Sequence, residues 1–239
     1  MPSLTVVLDH VAGLRHIMES QVPDPVAAAI LSQLAGADGI AIHMREDRLY
    51  VQERDLRLLR QTVRSKLIMH CAPISEMMGF ALDIKPERVV LVPQLQEETP
   101  AYNGLDLVVH GKDIFETIDT MQSNGISASI SIPAEPEQAK LAHQIGADWI
   151  QIHAGKLRAA TSPGSQNQEL ARIIDTVKMA QKLRLRISIG HGLDDRLIKL
   201  FKGVREIDEF SMGRSLIAQA LLKGMERAVA DTVSLIRAL

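Results

Sequence analysis

Five of the chain's eight histidines stand where short runs of β-branched and aliphatic residues end. His10 follows the run 4–8, His43 closes 39–43, His70 follows 67–69, His153 follows 149–152, and His191 lies just past 186–189. Imidazole changes its proton occupancy near neutral pH, so this concentration points to acid–base chemistry. Asp9, Arg45 and Gln151 sit within two positions of three of these histidines and extend the polar set. Gly190-His191-Gly192 and Gly213-Arg214 follow the last two strand-like runs. Glycine permits close backbone approach, and an arginine at a helix start adds a bidentate cation. Together they suit a bound phosphate.

Such residues need elements to hold them. Gly36-Ala37-Asp38-Gly39-Ile40-Ala41-Ile42-His43 reads as a turn feeding a strand, with Met44, Arg45, Glu46 and Asp47 beyond it. Alternation puts Ala41, His43 and Arg45 on one face and Ile40, Ile42 and Met44 on the other, which would pack outward. The phrase returns as Gly146-Ala147-Asp148-Trp149-Ile150-Gln151-Ile152-His153, which marks an internal repeat. Strand-like runs occur at 4–8, 39–43, 67–69, 88–91, 126–130, 149–152, 186–189 and 209–211. Helical patterns fall between them: 25–34 behind Asp24 as N-cap, 53–63, from 75, 112–122, 136–145, 169–182, 195–201, and 215 to the end. Residues 94–106 read as a long acidic loop, and a Ser/Gly/Asn patch spans 161–167. Eight strand–helix units in one domain of residues 1–239 predict an α/β fold, the (β/α)8 TIM barrel. Its active site lies at the C-terminal strand ends, with phosphate after strands seven and eight. The repeated phrases then fall on strands two and six, four units apart.

Composition narrows the field. A net charge of -2 with mixed signs excludes the polyelectrolyte pattern of nucleic-acid or anionic-membrane binders. One cysteine rules out a disulfide framework and suits a reducing cytoplasm. No apolar run reaches a membrane span, and the start lacks the basic region of a signal peptide. Several residues have bland readings. His153 reads equally as a satisfied strand-end histidine; Cys71 as a buried hydrophobe facing away from His70; Arg15 as a surface charge; and Glu46, Asp47 and Arg48 as a self-neutralising loop. His16, His110 and His143 receive no role. A metal site is not expected, because no H-x-H pair and no carboxylate-rich ligand set occurs.

Leu8-Asp9-His10-Val11-Ala12-Gly13-Leu14-Arg15, Pro23-Asp24-Pro25-Val26 and the stretch 36–47 resemble the N-terminal part of the pyridoxine 5′-phosphate synthase family. Arg54-Asp55-Leu56-Arg57, Leu91-Val92-Pro93, Gly104-Leu105-Asp106, Gln168-Glu169-Leu170-Ala171-Arg172 and Gly190-His191-Gly192-Leu193 extend the resemblance over nearly the whole chain. It implies condensation of 1-deoxy-D-xylulose 5-phosphate with 3-amino-2-oxopropyl phosphate, releasing phosphate and water. It also implies no cofactor or metal, and assembly into dimers and octamers. Position by position, it makes His43 a catalytic base and His191 the acid. Asp9, His10 and Arg45 would contact the deoxyxylulose phosphate; Gly192, Gly213 and the position of Arg214 would contact the aminoketone phosphate.

The same resemblance exposes departures. His70 stands for a glutamate base, Val7 for an asparagine, Met18 for an arginine, and Tyr50 for a phosphate-contacting histidine. Pro100 stands for a threonine, Gln151 for a glutamate and Arg214 for a histidine. Val7 and Met18 remove polar contacts from the aminoketone pocket, each worth roughly 1.5–3 kcal/mol. The leading expectation is therefore the family reaction, with His70 in place of the second base. The alternatives are a paralogue acting on another phosphorylated carbonyl compound, a metal-dependent barrel enzyme, and a non-catalytic phosphate-ligand binder.

Overall fold

The structure, a computed structural model, describes residues 1–94 and 103–239, with only the helical backbone at 112 and 113. Eight parallel strands close in sequence order: β1 (Ser3–Val7), β2 (Gly39–His43), β3 (Lys66–Cys71), β4 (Arg88–Leu91), β5 (Ser127–Ile132), β6 (Trp149–His153), β7 (Arg186–Gly190) and β8 (Glu209–Met212). Strand β8 pairs back onto β1. The helices between them are α1 (Asp9–Ile17), α2 (Pro25–Leu34), α3 (Glu53–Thr62), α4 (Ser75–Ile84), α5 (Leu107–Ser123), α6 (Pro136–Gln144), α7 (Gly155–Ala159), α8 (Pro163–Lys182), α9 (Asp195–Ile198), α10 (Arg214–Lys223) and α11 (Met225–Arg237). This is the (β/α)8 barrel that the spacing predicts.

Alternation divides the buried side chains into two layers. Ile40, Ile42, Met44, Met69 and Cys71 face outward and join the large apolar core under the helices. Inside, Val7 packs against a small cluster of Ala41, Ile68, Val90 and Val92. Apart from Trp149, much of the rest of the interior is polar. Arg88 donates from Nη2 to both carboxylate oxygens of Glu209, at 2.5 and 2.7 Å, and Ser188 donates to the same carboxylate at 2.9 Å. The Arg88 guanidinium also lies 4.1 Å from the centre of the Trp149 ring. Two charges so buried persist only when each satisfies the other.

The repeated Gly-Ala-Asp phrase has a structural meaning. Gly36 and Gly146 take positive φ values of 97° and 79°, and each following aspartate reaches across to the preceding strand. The Asp38 carboxylate accepts from Leu4 N–H at 2.9 Å, and that of Asp148 from Ala128 N–H at 2.9 Å. Glu87 accepts from Leu67 N–H at 2.7 Å, and Asp208 from Ile187 N–H at 2.7 Å. An acidic residue just before each even-numbered strand thus clamps the second residue of the odd strand before it. Four clamps fix the register at the N-terminal end of the barrel, the end associated with stability.

Several local expectations change. Asp9 and His10 do not end the first strand; they open α1, because Asp9-His10-Val11-Ala12 continues at helical spacing and buries Val11 and Ala12. Arg15 is not a surface charge. It is 6% exposed, forks onto Asp55 at 2.8 and 2.6 Å and donates to the Tyr50 carbonyl, tying α1 to the segment after β2. The Ser/Gly/Asn patch is helical from Pro163, since Ser162 and Ser165 cap each other's backbone N–H groups. Helix α5 begins at Leu107 rather than 112, where the Asp106 carboxylate caps it. The last helical region is two helices, broken at Gly224 with φ 86°. Residues 95–102 of the acidic loop, Pro100 among them, lie outside the described residues.

Candidate active site

The C-terminal strand ends gather the histidines. His43 and His70 are direct partners across the β2–β3 ladder. The His70 and His191 rings are stacked with centroids 6.2 Å apart, and His153 stacks on His191 at 4.5 Å and 19°. A cavity of about 320 Å³ opens beside them, walled by Val7, Asp9, His10, His70, His191, Gly192, Ser211, Gly213, Arg214 and Arg158, among others. His43 lines a smaller cavity of about 100 Å³ together with Arg45 and Asp47.

Local backbone geometry explains these placements. His191 and Gly192 follow β7 with φ values of 60° and 94°. A histidine in the left-handed region costs of order 1–3 kcal/mol, which the surroundings of a functional site can impose. Gly213 permits a close approach: a Cβ there would lie 3.1 Å from Val7 Cβ and 3.2 Å from the Val7 carbonyl oxygen. Gly213 is also the N-cap of α10, so Arg214 and Ser215 open that helix against the cavity. The Asp9 carboxylate accepts from His43 N–H at 2.7 Å, which locks the start of α1 to the end of β2.

Electrostatics set the protonation states. Burial, followed by the charges of neighbouring His191 and Arg45, pushes His43 down to about 4. Burial and then Arg214 bring His191 to about 4, and burial with His191 brings His153 to about 3. His70 falls well below the usual histidine range, first by burial and then through His191 and His43. His10 is lowered by burial and by Arg214. At neutral pH these imidazoles are uncharged and able to accept a proton. Burial instead raises Asp9 to about 6 against the opposing His43 N–H bond.

The two glycine loops, Asp9, His10, His70, His191 and Arg214 therefore line one cavity, and His43, paired with His70 across the β2–β3 ladder, lines the smaller one. Arg45 stands beside His43, its guanidinium forked onto Asp47 at 2.9 and 2.5 Å. Tyr50 lies outside the lining of both cavities, in edge contact with His16 at 5.5 Å. Gln151 is 1% exposed beneath Gly190, where a Cβ would meet its side chain at 2.9 Å. Met18 caps α1 and is 64% exposed. Sequence reasoning left His153 undecided, yet its Nδ1 accepts from Gly155 N–H at 3.1 Å while its ring packs on His191. Arg158 was missed because it follows no strand-like run directly, and Ser211, although it ends the run 209–211, because a lone serine there carries no recognisable motif. Among the described residues no group of three or more His, Cys, Asp or Glu converges to hold a metal ion.

A family model described as pyridoxal phosphate biosynthesis protein PdxJ matches residues 4–238. The chain belongs to the PdxJ family. It is 44% identical over 239 residues to pyridoxine 5′-phosphate synthase of Desulforapulum autotrophicum, covering 100% of both chains. It is 43% identical over 237 residues to the same enzyme of Geobacter sp. (strain M21), covering 99% of each. Among solved structures it is similar to KGPDC from Streptococcus mutans, with a TM-score of 0.62 at 16% identity over 99% of both chains. It is also similar to a phosphoribosylanthranilate isomerase from Thermotoga maritima, with a TM-score of 0.61 at 11% identity over 100% of both. At such identities the structural matches establish the barrel, whereas family membership rests on the sequence. Within this PdxJ member the cavity wall carries Val7 and His70 at the positions where the resemblance implies asparagine and glutamate.

Proposed function

We propose that this chain is a pyridoxine 5′-phosphate synthase, condensing 1-deoxy-D-xylulose 5-phosphate with 3-amino-2-oxopropyl phosphate in vitamin B6 biosynthesis. The observation that carries the reading is the joining of neutral histidines to a glycine- and arginine-lined wall around one 320 Å³ cavity. Forming the carbinolamine, dehydrating it and closing the ring all require protons to be taken up and given back near a carbonyl carbon. His43, held neutral by burial, serves as the first base. His70 serves as the second, where a glutamate is implied by the resemblance. His191 begins neutral as well, lowered first by burial and then by Arg214. A phosphate dianion near Arg214 offsets the smaller, charge-based part of that lowering and raises the His191 proton affinity, which favours His191 as the proton donor when substrate is bound. Asp9 orients His43 through its backbone N–H and, with His10 and Arg45, receives the deoxyxylulose phosphate. Gly192, Gly213 and Arg214 receive the other phosphate at the start of α10.

The reaction needs no cofactor in this reading, and the enzyme works in the cytoplasm, consistent with its single buried thiol. No helix among the described residues is long and apolar enough to cross a membrane. Assembly of several copies is supported by exposed Ile17, Met18, Val22 and Leu34 around α1 and α2. A second reading, in which the partner is a different phosphorylated amino- or carbonyl compound, is favoured by apolar Val7 in the cavity wall.

The two readings separate in one assay. Purified protein given both substrates produces the pyridine chromophore, and His43→Ala or His191→Ala lowers its rate by about 10²–10⁴-fold. No turnover, with each phosphate ester still raising the unfolding temperature, supports the altered substrate instead.

A further inference from the structure

Resting on the phosphate-site reading above, we propose that Arg158 is a substrate-binding residue that completes the aminoketone-phosphate site from the β6 side. Arg158 lies on α7, the five-residue helix directly after β6. Its stem crosses the Gly192 backbone: a Cβ on Gly192 would come within 3.0 Å of Arg158 Cδ and 3.2 Å of Arg158 Cβ. Gly192 is therefore glycine for two reasons, its φ of 94° and the arginine lying over it. The residue forms part of the wall of the 320 Å³ cavity, the same wall that takes in Gly213 and Arg214 at the α10 start.

The surrounding charges leave Arg158 available. The cavity wall holds two carboxylates, and each accepts a backbone N–H: Asp9 from His43 at 2.7 Å, Asp194 from Leu197 at 2.8 Å. Arg158 makes no ion pair among the described residues and remains exposed, so its guanidinium stays hydrated until an anion arrives. A phosphate monoester dianion resting on the Gly192 and Gly213 loops then has two arginines, Arg214 and Arg158, in the wall of the same cavity. Planar guanidinium groups bind phosphate through paired N–H donors, a geometry that lysine does not reproduce. The anchor at the base of α7 is firm, because Gly155 N–H donates to the His153 ring stacked on His191. Phosphate capture by Arg158 and the state of His191 are thus joined through one short turn.

The test has two arms. In steady-state kinetics, Arg158→Ala raises the concentration of 3-amino-2-oxopropyl phosphate needed for half-maximal rate at least tenfold. That for 1-deoxy-D-xylulose 5-phosphate stays within twofold, and Arg158→Lys falls between wild type and Ala. In thermal unfolding, which needs no turnover, R158A requires at least tenfold more inorganic phosphate for the same protection, while the ligand-free midpoint is unchanged. Equal phosphate protection of wild type and R158A, or equal weakening of both substrates, overturns the proposal. Should wild type fail to convert the substrate pair, the reaction assignment falls, and the phosphate arm alone decides Arg158.

Discussion

The two ends of this barrel solve opposite problems with the same kinds of residue. At the N-terminal end Asp38, Glu87, Asp148 and Asp208 each accept a specific N–H of the neighbouring strand. Just inside, Arg88 and Glu209 neutralise each other across the interior. At the C-terminal end four histidines crowd together, His70 keeps a buried Nε2 without a partner among the described residues, and His191 sits in a left-handed conformation. Most polar groups at the first end are satisfied by the fold itself, although Arg88 Nε and Thr5 Oγ1 are buried there without a partner among the described residues. Those at the second are left short of partners that a substrate can supply, which is how a site stays reactive at some expense to stability.

The largest effect that would test this contrast comes from the interior pair. Glu209→Ala leaves the Arg88 guanidinium buried without its carboxylate and is expected to cost about 3–5 kcal/mol in denaturant unfolding. Replacing both partners with apolar residues of similar volume should recover most of that loss. If Glu209→Ala unfolds at the wild-type midpoint, the interior pair does not secure the barrel and the comparison fails at its stable end.

How far the sequence reveals each end follows from the same physics. The barrel was legible because eight β-branched runs alternate with helical periods, and alternation in Ile40, Ala41, Ile42 and His43 assigns each face correctly. The candidate site was legible where residue type and strand end coincide, as at His43, His70 and His191. Helix α1 was missed because Asp9-His10 continues directly from the strand with no turn residue to announce a helix. Arg158 was missed because its place depends on how α7 folds back over Gly192, a contact between residues 34 positions apart. The Arg88–Glu209 pair joins β4 to β8, and no local pattern encodes such a pairing.

Protonation offers a second, smaller contrast. Burial and the neighbouring His191 bring His153 to about 3 against an ordinary value of 6.5, and His70 is also held well below that value, first by burial. The unfolded chain therefore binds more protons as pH drops below 6.5, so stability present above that value is lost on acidification. Asp9 acts in the other direction between 3.8 and about 6, where the folded state holds the extra proton. Because the depressed histidines outnumber the one raised carboxyl, the unfolding temperature is expected to fall from pH 6.5 toward 4.5. His153→Phe should flatten that slope. A midpoint independent of pH across this range would mean that the histidine cluster is not held neutral by folding.

The smallest effect distinguishes the clamps from one another. Asp148→Ala removes the acceptor of both Ala128 N–H and Ser127 Oγ, whereas Asp38→Ala removes that of Leu4 N–H. Each leaves a strand amide unpaired beside a buried residue, a loss of about 1–3 kcal/mol. Asp148→Ala should fall toward the upper part of that range because it breaks two bonds. Neither carboxylate touches the cavity at the other end of the barrel, so the affinity for phosphate should stay within twofold in both variants. Unfolding curves and phosphate titrations on the same preparations decide the matter. A clamp variant that weakened phosphate binding tenfold without lowering the unfolding midpoint would show that the two ends are coupled, and the division of labour between them would have to be abandoned.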